Sequence, residues 1–424
     1  MKVTGIIAEY NPFHNGHLYQ IQQIHEKQQA DYIVVVMSGD FVQRGTPALC
    51  NKYARAKMAL SCGADLVLEL PTLWATASAE YFAAAGIALL DQLGVADSVC
   101  FGAECDDLAL LTGIADVLAV EPEDYQRILS DELKKGVSFP AARKHALLAF
   151  LNRSAFPDKN TSAHPFEQLL DTPNNILAIE YLKALRLRNS SMTATPLLRQ
   201  GSGYHDTDLH EMASASAIRS ALKEGKEHLL TDAMPDASYT VLMEYARSKS
   251  FLDADSLSSY LNYKLLMQCE DGYEAFADCG RDFSNRIENY LPQYRTFSGF
   301  CDLLKNKTLT HTRISRALLH ILLDIRREDY TDGLLADYTP YARILGFRKD
   351  SAALLSACKK QSSIPLITKM ADAEKILETQ SIHPDIAKKM LALDVRGASI
   401  YESLAAAQTG MAGCNEYTQG ILRI

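Results

Sequence analysis

The sequence predicts an α/β fold: a parallel sheet covered by helices on both faces, followed by a mainly α-helical C-terminal domain. Over the first hundred residues, short β-branched runs alternate with stretches of helical periodicity. Such alternation builds βαβ units, whose strands are buried on both faces and read as continuous apolar runs. Beyond residue 230 the alternation stops and no strand is evident.

The elements follow in order. Val3 to Ala8 is a short apolar run, read as a buried strand, and Leu18, Ile21 and Ile24 then recur at helical spacing. Tyr32 to Met37 is a second β-branched run, stopped by Ser38-Gly39. Residues 51–62 read as a helix closed by Gly63, and Leu66 to Leu70 as a strand ended by Pro71. Residues 78–93 form a helix closed by Gly94, and Val99-Cys100-Phe101 a strand ended by Gly102. Residues 107–152 and 174–188 are helical, Thr195 to Arg199 adds a strand to the same sheet, and 214–224 form a helix. The predicted division is a catalytic domain over 1–230 and a mainly helical domain over 231–424.

Composition excludes several classes. The chain has 424 residues, 47% hydrophobic and 22% charged, ordinary values for a globular protein with a large core. A formal charge of −9 means that any nucleic-acid partner must meet a local basic face. Nine scattered cysteines without a CxxC pair suit reduced thiols in a reducing compartment. Met1-Lys2-Val3-Thr4 runs directly into a strand, with no signal peptide and no apolar run near the roughly 18 residues of a membrane span. A cytoplasmic location and no membrane partner are expected.

The most informative stretch is Ile6 to His17, where a strand ends, a Pro-containing turn follows and a helix begins near Asn15. The carboxyl ends of parallel strands are where open α/β sheets bind ligands. A helix start there offers free N–H groups and a positive dipole end, both suited to phosphate. His14 and His17, three apart, point the same way and can both donate to phosphate oxygens. Gly16 between them lets a nucleotide approach the backbone. No third and fourth ligand at zinc spacing accompanies them, so no protein metal site is predicted. A second constellation is Ala213-Ser214-Ala215-Ser216-Ala217-Ile218-Arg219-Ser220, a helix start in which Ser214 or Ser216 is the cap.

Asn11 to His17 resembles the HxGH motif of the nucleotidyltransferase superfamily, whose fold is a HUP-like Rossmann sheet. The resemblance implies that His14 and His17 hold ATP phosphates during adenylylation, and that Ser216 and Arg219 grip the β- and γ-phosphates. Ala217 stands where a hydroxyl residue is usual, which leaves Ser216 as the phosphate contact. The resemblance narrows further on the run Glu9 to His17, Met37-Ser38-Gly39 with Gln43-Arg44-Gly45, Lys57 to Leu60, Asp65 to Pro71, and Phe101 to Glu104. Pro173 to Leu177, Tyr204-His205-Asp206 and Pro340 to Gly346 continue it. Together these resemble the tRNA(Met) cytidine acetate ligase family.

That resemblance implies a reaction in which ATP activates acetate as acetyl-adenylate, and the acetyl group passes to the wobble cytidine of elongator tRNA(Met), giving N4-acetylcytidine. The implied ATP contacts are Ile7, Ala8, Glu9, Tyr10, Asn11, Pro12, Phe13, His14, Asn15, Gly16, His17, Leu18, Tyr19 and Gln20, with Gly102, Asn174, Arg199 and Gln200. Mg²⁺ accompanies ATP. No general base for acetyl transfer is identified.

Two basic groups are candidates for tRNA. Leu303 to Arg327 carries Lys305, Lys307, Arg313, Arg316, Arg326 and Arg327 against Asp324 alone, a local +5; Arg313 and Arg316 are the predicted contacts. Arg44, Lys52, Arg55 and Lys57 follow the second strand and fall near its carboxyl edge, where they are placed to hold the anticodon loop, to hold ATP phosphates, or simply to be exposed. The alternative is an adenylyltransferase acting on a small phosphorylated metabolite.

Overall fold

In a computed structural model, which describes residues 1–153, 169–199, 212–411 and 413–424, the β-branched runs become the predicted parallel strands. These are β1 (Val3–Ala8), β2 (Tyr32–Ser38), β5 (Leu66–Leu70), β6 (Ser98–Ala103) and β7 (Thr193–Leu198). Two-residue strands β3 (Phe41–Val42) and β4 (Thr46–Pro47) form an antiparallel hairpin between them. Helices α1 (Asn15–Gln28), α2 (Lys52–Ser61), α3 (Thr72–Ala75) and α4 (Ala79–Leu93) provide the crossovers. Pairing runs β5–β2–β1–β6–β7, all parallel, with Ile6 opposite Val35 and Gly102 opposite Leu197.

This order has a physical consequence. The chain leaves β1 for β2 on one side, then returns from β5 through α4 to β6 on the other side of β1. The connections diverge at β1 and β6, and a crevice opens at their carboxyl ends. Close packing of α4 on β1 rests on two glycines: a Cβ on Gly5 would stand 2.5 Å from Leu90 Cδ1, and one on Gly86 would stand 2.7 Å from Ile7 Cδ1.

Helices α5 (Leu108–Val120), α6 (Glu123–Lys134), α7 (Phe139–Arg153), α8 (Pro173–Arg188) and α9 (Ala215–Lys223) match the predicted helical stretches. Mainly helical structure follows: α10 (Asp236–Ser248), α11 (Ser258–Gln268), α12 (Arg281–Tyr290), α13 (Phe297–Leu304), α14 (His311–Leu323), α15 (Arg327–Leu335), α16 (Ala352–Gln361), α17 (Ala373–Gln380) and α18 (Pro384–Thr409).

The expectation that no strand follows residue 230 is corrected. Strand β8 (Ala342–Phe347) pairs antiparallel with β5, and β9 (Leu366–Ile367) and β10 (Leu422–Arg423) pair with β8, extending the sheet to eight strands. The run Ala342 to Phe347 is buried on both faces, so it lacks the alternation that marks a half-buried strand. A charge pair fixes its place: Glu69 lies opposite Arg343, and Arg343 Nη1 is 2.9 Å from Glu69 Oε2. One apolar core runs from the sheet, through Trp74, into Leu261, Ile314 and Leu318. All nine cysteines are unpaired. Among the described residues no helix is long and apolar enough to cross a membrane.

Candidate active site

The crevice holds a cleft of about 990 Å³. Ile7 and Ala8 from the end of β1, Phe101 and Gly102 from β6, Leu197 to Arg199 from β7, and the starts of α1, α8 and α9 line it. It brings together all four residues predicted to be catalytic: His14, His17, Ser216 and Arg219.

The turn after β1 is held from several directions. Arg55 Nη1 donates to the Glu9 carbonyl at 2.7 Å, and Arg219 Nη1 donates to the Asn11 carbonyl at 2.7 Å. Leu49 N–H donates to Asn11 Oδ1 at 2.8 Å, and Ser238 Oγ donates to the Phe13 carbonyl at 2.8 Å. Helix α1 then starts with His14 as its own cap. Gly16 N–H donates to His14 Nδ1 at 3.1 Å, and His14 N–H donates to His17 Nδ1 at 3.2 Å. An Nδ1 that accepts is unprotonated, so each neutral ring carries its hydrogen on Nε2. Burial, with Arg199 and Arg219 nearby, lowers His14 to about 3. Burial, then His14 and Arg199, lower His17 well below the usual histidine range. Both imidazoles are thereby fixed as neutral Nε2–H donors.

The expectation that this helix start offers free N–H groups is corrected. Asn15 N–H donates to the Ala233 carbonyl at 3.2 Å, Gly16 N–H to His14 Nδ1, and His17 and Leu18 N–H to the His14 carbonyl at 2.9 and 3.2 Å. Side chains, not first-turn amides, supply the donors here. Gly16 has a role that spacing did not reveal: a Cβ there would stand 2.9 Å from His14 Cε1, displacing the ring.

On α9, Ser214 is the cap, accepting from Ala217 N–H at 3.1 Å. Ser216 Oγ accepts from Arg219 Nη2 at 3.1 Å. One guanidinium thus ties the second motif to the turn of the first, across 208 residues of sequence. Of the predicted ATP contacts, Ile7, Ala8, Glu9, Tyr10, Asn11, His14, Gly16, His17, Tyr19, Gln20, Gly102, Asn174 and Arg199 line the cleft. Pro12, Phe13, Asn15 and Leu18 are not among its lining residues. Phe13 is fully buried, packed edge-on against Tyr10 with centroids 4.8 Å apart, and Asn15 Nδ2 donates to the Asp232 carbonyl at 2.8 Å. Gln200, with Tyr204-His205-Asp206, lies outside the described residues.

The first basic group divides sharply. Arg44 lines the cleft and is exposed. Lys57 is half-buried and paired with Glu244 at 2.8 Å. Lys52 and Arg55 are corrected: both are buried and unavailable to a polyanion. Lys52 Nζ lies 2.8 Å from Glu69 and 2.9 Å from Glu416. Arg55 spends its donors on the carbonyls of Glu9, Ser38, Gly39 and Cys50. In the second group Arg313 is exposed, whereas Arg316 Nε is 3.2 Å from Asp278 Oδ2. Arg326 pairs with Asp324 at 3.4 Å, and Arg327 donates to the Cys279 carbonyl.

The sequence reading missed part of the cleft. Gln43, Phe251 to Ala254, and His311, Thr312 and Ser315 of α14 line it too. Nothing local marks Phe251 or Asp253; Gln43 was named in the family resemblance but not as a contact, and His311 stood close to residues already singled out. Among the described residues no group of three or more His, Cys, Asp or Glu side chains is arranged to hold a metal.

The fold is that of the HIGH nucleotidyltransferase class, and residues 1–414 match the family described as HIGH Nucleotidyl Transferase. A tRNA(Met) cytidine acetate ligase of Clostridium perfringens is 36% identical over 407 residues, covering 95% of this chain and 96% of that one. One of Clostridium acetobutylicum is 39% identical over 371 residues, covering 87% and 90%. Two crystal structures of Thermotoga maritima TmcAL, apo and bound with alpha-thio ATP, superpose with TM-scores of 0.93 and 0.91 at 31% identity, each covering all of both chains. The chain belongs to the tRNA(Met) cytidine acetate ligase family and is an enzyme of that ligase class.

Proposed function

We propose that this enzyme binds ATP in the cleft, joins acetate to its AMP moiety as acetyl-adenylate with release of pyrophosphate, and transfers the acetyl group to the wobble cytidine of elongator tRNA(Met). The product is N4-acetylcytidine. The observation that carries this reading is the convergence of His14, His17, Arg199 and Arg219 on one cleft at the β1/β6 crevice. The relatives' names and the alpha-thio ATP bound by the Thermotoga protein support the substrates.

Acetate is itself the nucleophile in the first step, so no serine or cysteine need form a covalent intermediate. Its carboxylate oxygen attacks the α-phosphorus and pyrophosphate leaves. The barrier lies in bringing one anion against another, and fixed donors lower it. His14 and His17 present Nε2–H groups to phosphate oxygens, and Arg199 and Arg219 add full positive charge. Ser216, held by Arg219, completes the grip on the β- and γ-phosphates. Mg²⁺ would ride on the triphosphate, bound by phosphate oxygens and water, which needs no protein cage. The helical region over 231–424 then serves tRNA through the exposed Arg313 and neighbouring lysines, with Arg44 at the cleft mouth. The enzyme would work in the cytoplasm, where its tRNA is found.

The test supplies protein, ATP, labelled acetate and tRNA, and follows pyrophosphate and the mass of cytidine in digested tRNA. Acetate-dependent pyrophosphate release and a labelled N4-acetylcytidine are expected. Pyrophosphate release that requires a phosphorylated metabolite instead of acetate would replace this reading with the adenylyltransferase alternative.

A further inference from the structure

The cleft offers cations and donors to a polyphosphate, and against that pattern stands Glu9. It follows β1 directly, and its side chain opens on the cleft. A carboxylate beside phosphates opposes their binding by like-charge repulsion, unless it serves a ligand that donates to it. Its place is imposed from both ends: Arg55 holds its carbonyl, and Gln43 N–H donates to Oε1 at 2.9 Å. Among the described residues no cation pairs with this carboxylate, and no donor reaches Oε2.

Gln43 itself is the second observation. Its side chain lines the same cleft, and its Nε2 is buried with no hydrogen-bond partner among the described residues. A buried donor left unpaired is destabilising, and an acceptor brought by a ligand in the cleft would satisfy it. A carboxylate acceptor beside an amide donor complements the Watson–Crick edge of cytosine, whose N4 amine donates and whose N3 accepts. Uracil presents the reverse pattern. The two residues also sit on the wall nearest the basic helix. Gln43 belongs to the β3–β4 turn, Ser315 Oγ donates to the Gly45 carbonyl at 3.0 Å, and His311 and Thr312 of α14 line the cleft beside it. Gly102, Asn174 and Arg199 come from the opposite side, off β6, α8 and β7.

Building on the acetyl-transfer reading, we propose that Glu9 and Gln43 hold the target cytosine by its edge, and that Glu9 is the general base of the transfer step. Gln43 Nε2–H donates to N3, and Glu9 Oε2 accepts an N4–H. The N4 nitrogen attacks the carbonyl carbon of acetyl-adenylate and a C–N bond forms. The bond from that carbon to the phosphate oxygen breaks, and AMP leaves with the electron pair. The N4 proton passes to Glu9 and from there to solvent.

The experiment mixes full-length protein with synthetic acetyl-adenylate and tRNA(Met) transcript, and measures single-turnover acetyl transfer. Glu9→Gln retains an oxygen to accept from Gln43 N–H but cannot take a proton. Transfer is expected to fall by about 10²- to 10⁴-fold, the range for loss of a general base. Gln43→Met removes only the donor to N3, and transfer kcat/KM should fall by about tenfold or more, as when one buried polar group loses its partner. Circular-dichroism melting reports whether each variant is folded, and either variant alone can decide the matter. A wild-type transfer rate in either folded variant would overturn the proposal. So would a defect confined to the ATP half-reaction: a raised KM for ATP would assign the pair to adenine, and a raised Mg²⁺ requirement would assign Glu9 to the metal. If the wild-type enzyme itself fails to use acetyl-adenylate, the acetyl-transfer reading fails instead.

Discussion

The imidazoles of His14 and His17 lie with ring centroids 3.7 Å apart and their planes inclined by 31°. Two protonated rings at that separation would repel strongly, and the structure avoids this by burying His14 and packing the half-buried His17 against it, which holds both neutral. With each Nδ1 occupied as an acceptor, the pair becomes a two-pronged neutral donor. His17→Asn keeps a polar side chain at this position but removes Nε2–H. Acetate-dependent pyrophosphate release should then fall by about 10²- to 10³-fold in kcat, the usual loss for one aimed donor. Thermal melting of the variant shows whether the fold survives. Near-normal turnover would remove His17 from the chemistry.

The same burial predicts a pH dependence. An unfolded histidine takes its proton near pH 6.5, whereas His14 in the fold takes one only near pH 3, and His17 is shifted the same way. Between those values the unfolded chain binds more protons. Stability contributed by these rings is therefore full above pH 6.5 and is lost progressively as pH falls toward 3. Melting temperatures of the wild type and His14→Asn, followed from pH 7.5 to 5, should converge, since the variant lacks one titrating ring. Parallel curves would show that His14 does not contribute.

Lys52 and Lys57 lie five residues apart on one helix, yet losing them should have very different effects. Lys52 is enclosed by Glu69, Glu416 and Asp40, the last at 3.7 Å, and Arg343 shares Glu69 and Glu416 with it. Burial pushes Asp40 up to about 6, while Lys52 pulls against that rise. Lys52→Met leaves buried carboxylates short of a cation, and urea unfolding should show a loss of about 3–5 kcal/mol. Lys57→Met breaks an exposed pair worth about 0–1 kcal/mol. Equal losses would mean that the buried network adds nothing to stability beyond an exposed pair.

These two lysines also mark where sequence reading stops. The parallel strands, their helices and the HxGH turn were legible because each rests on neighbouring residues: a β-branched run, a closing glycine, a pair of histidines three apart. Ser216 and Arg219 were legible only through resemblance, since nothing within 213–220 says that Arg219 reaches back to the Asn11 carbonyl. Strand β8 was missed because a strand buried on both faces shows no period. Lys52 and Arg55 were misread as surface charges because their partners, Glu69 and Glu416 in one case and backbone carbonyls in the other, meet them only in the folded chain.

Arg313 and Arg316, one helical turn apart on α14, are separable by experiment. Arg313 is exposed, so a phosphate it touches should be lost cleanly on charge reversal. Arg313→Glu should weaken tRNA binding and reduce the slope of log affinity against log salt by about one, with pyrophosphate release from ATP and acetate retained. Arg316 is different: its side chain is 13% exposed and pairs with Asp278, and its backbone abuts the β3–β4 turn. Gly45 in that turn has φ +76°, and a Cβ there would stand 2.4 Å from Arg316 N. Arg316→Glu would set like charges at Asp278 and disturb the contact between α14 and the cleft wall. It should lower melting temperature and both half-reactions together, without the selective change in salt slope. If instead Arg316→Glu reproduced the Arg313→Glu pattern on an unshifted melting curve, its pairing with Asp278 would have to open when tRNA binds.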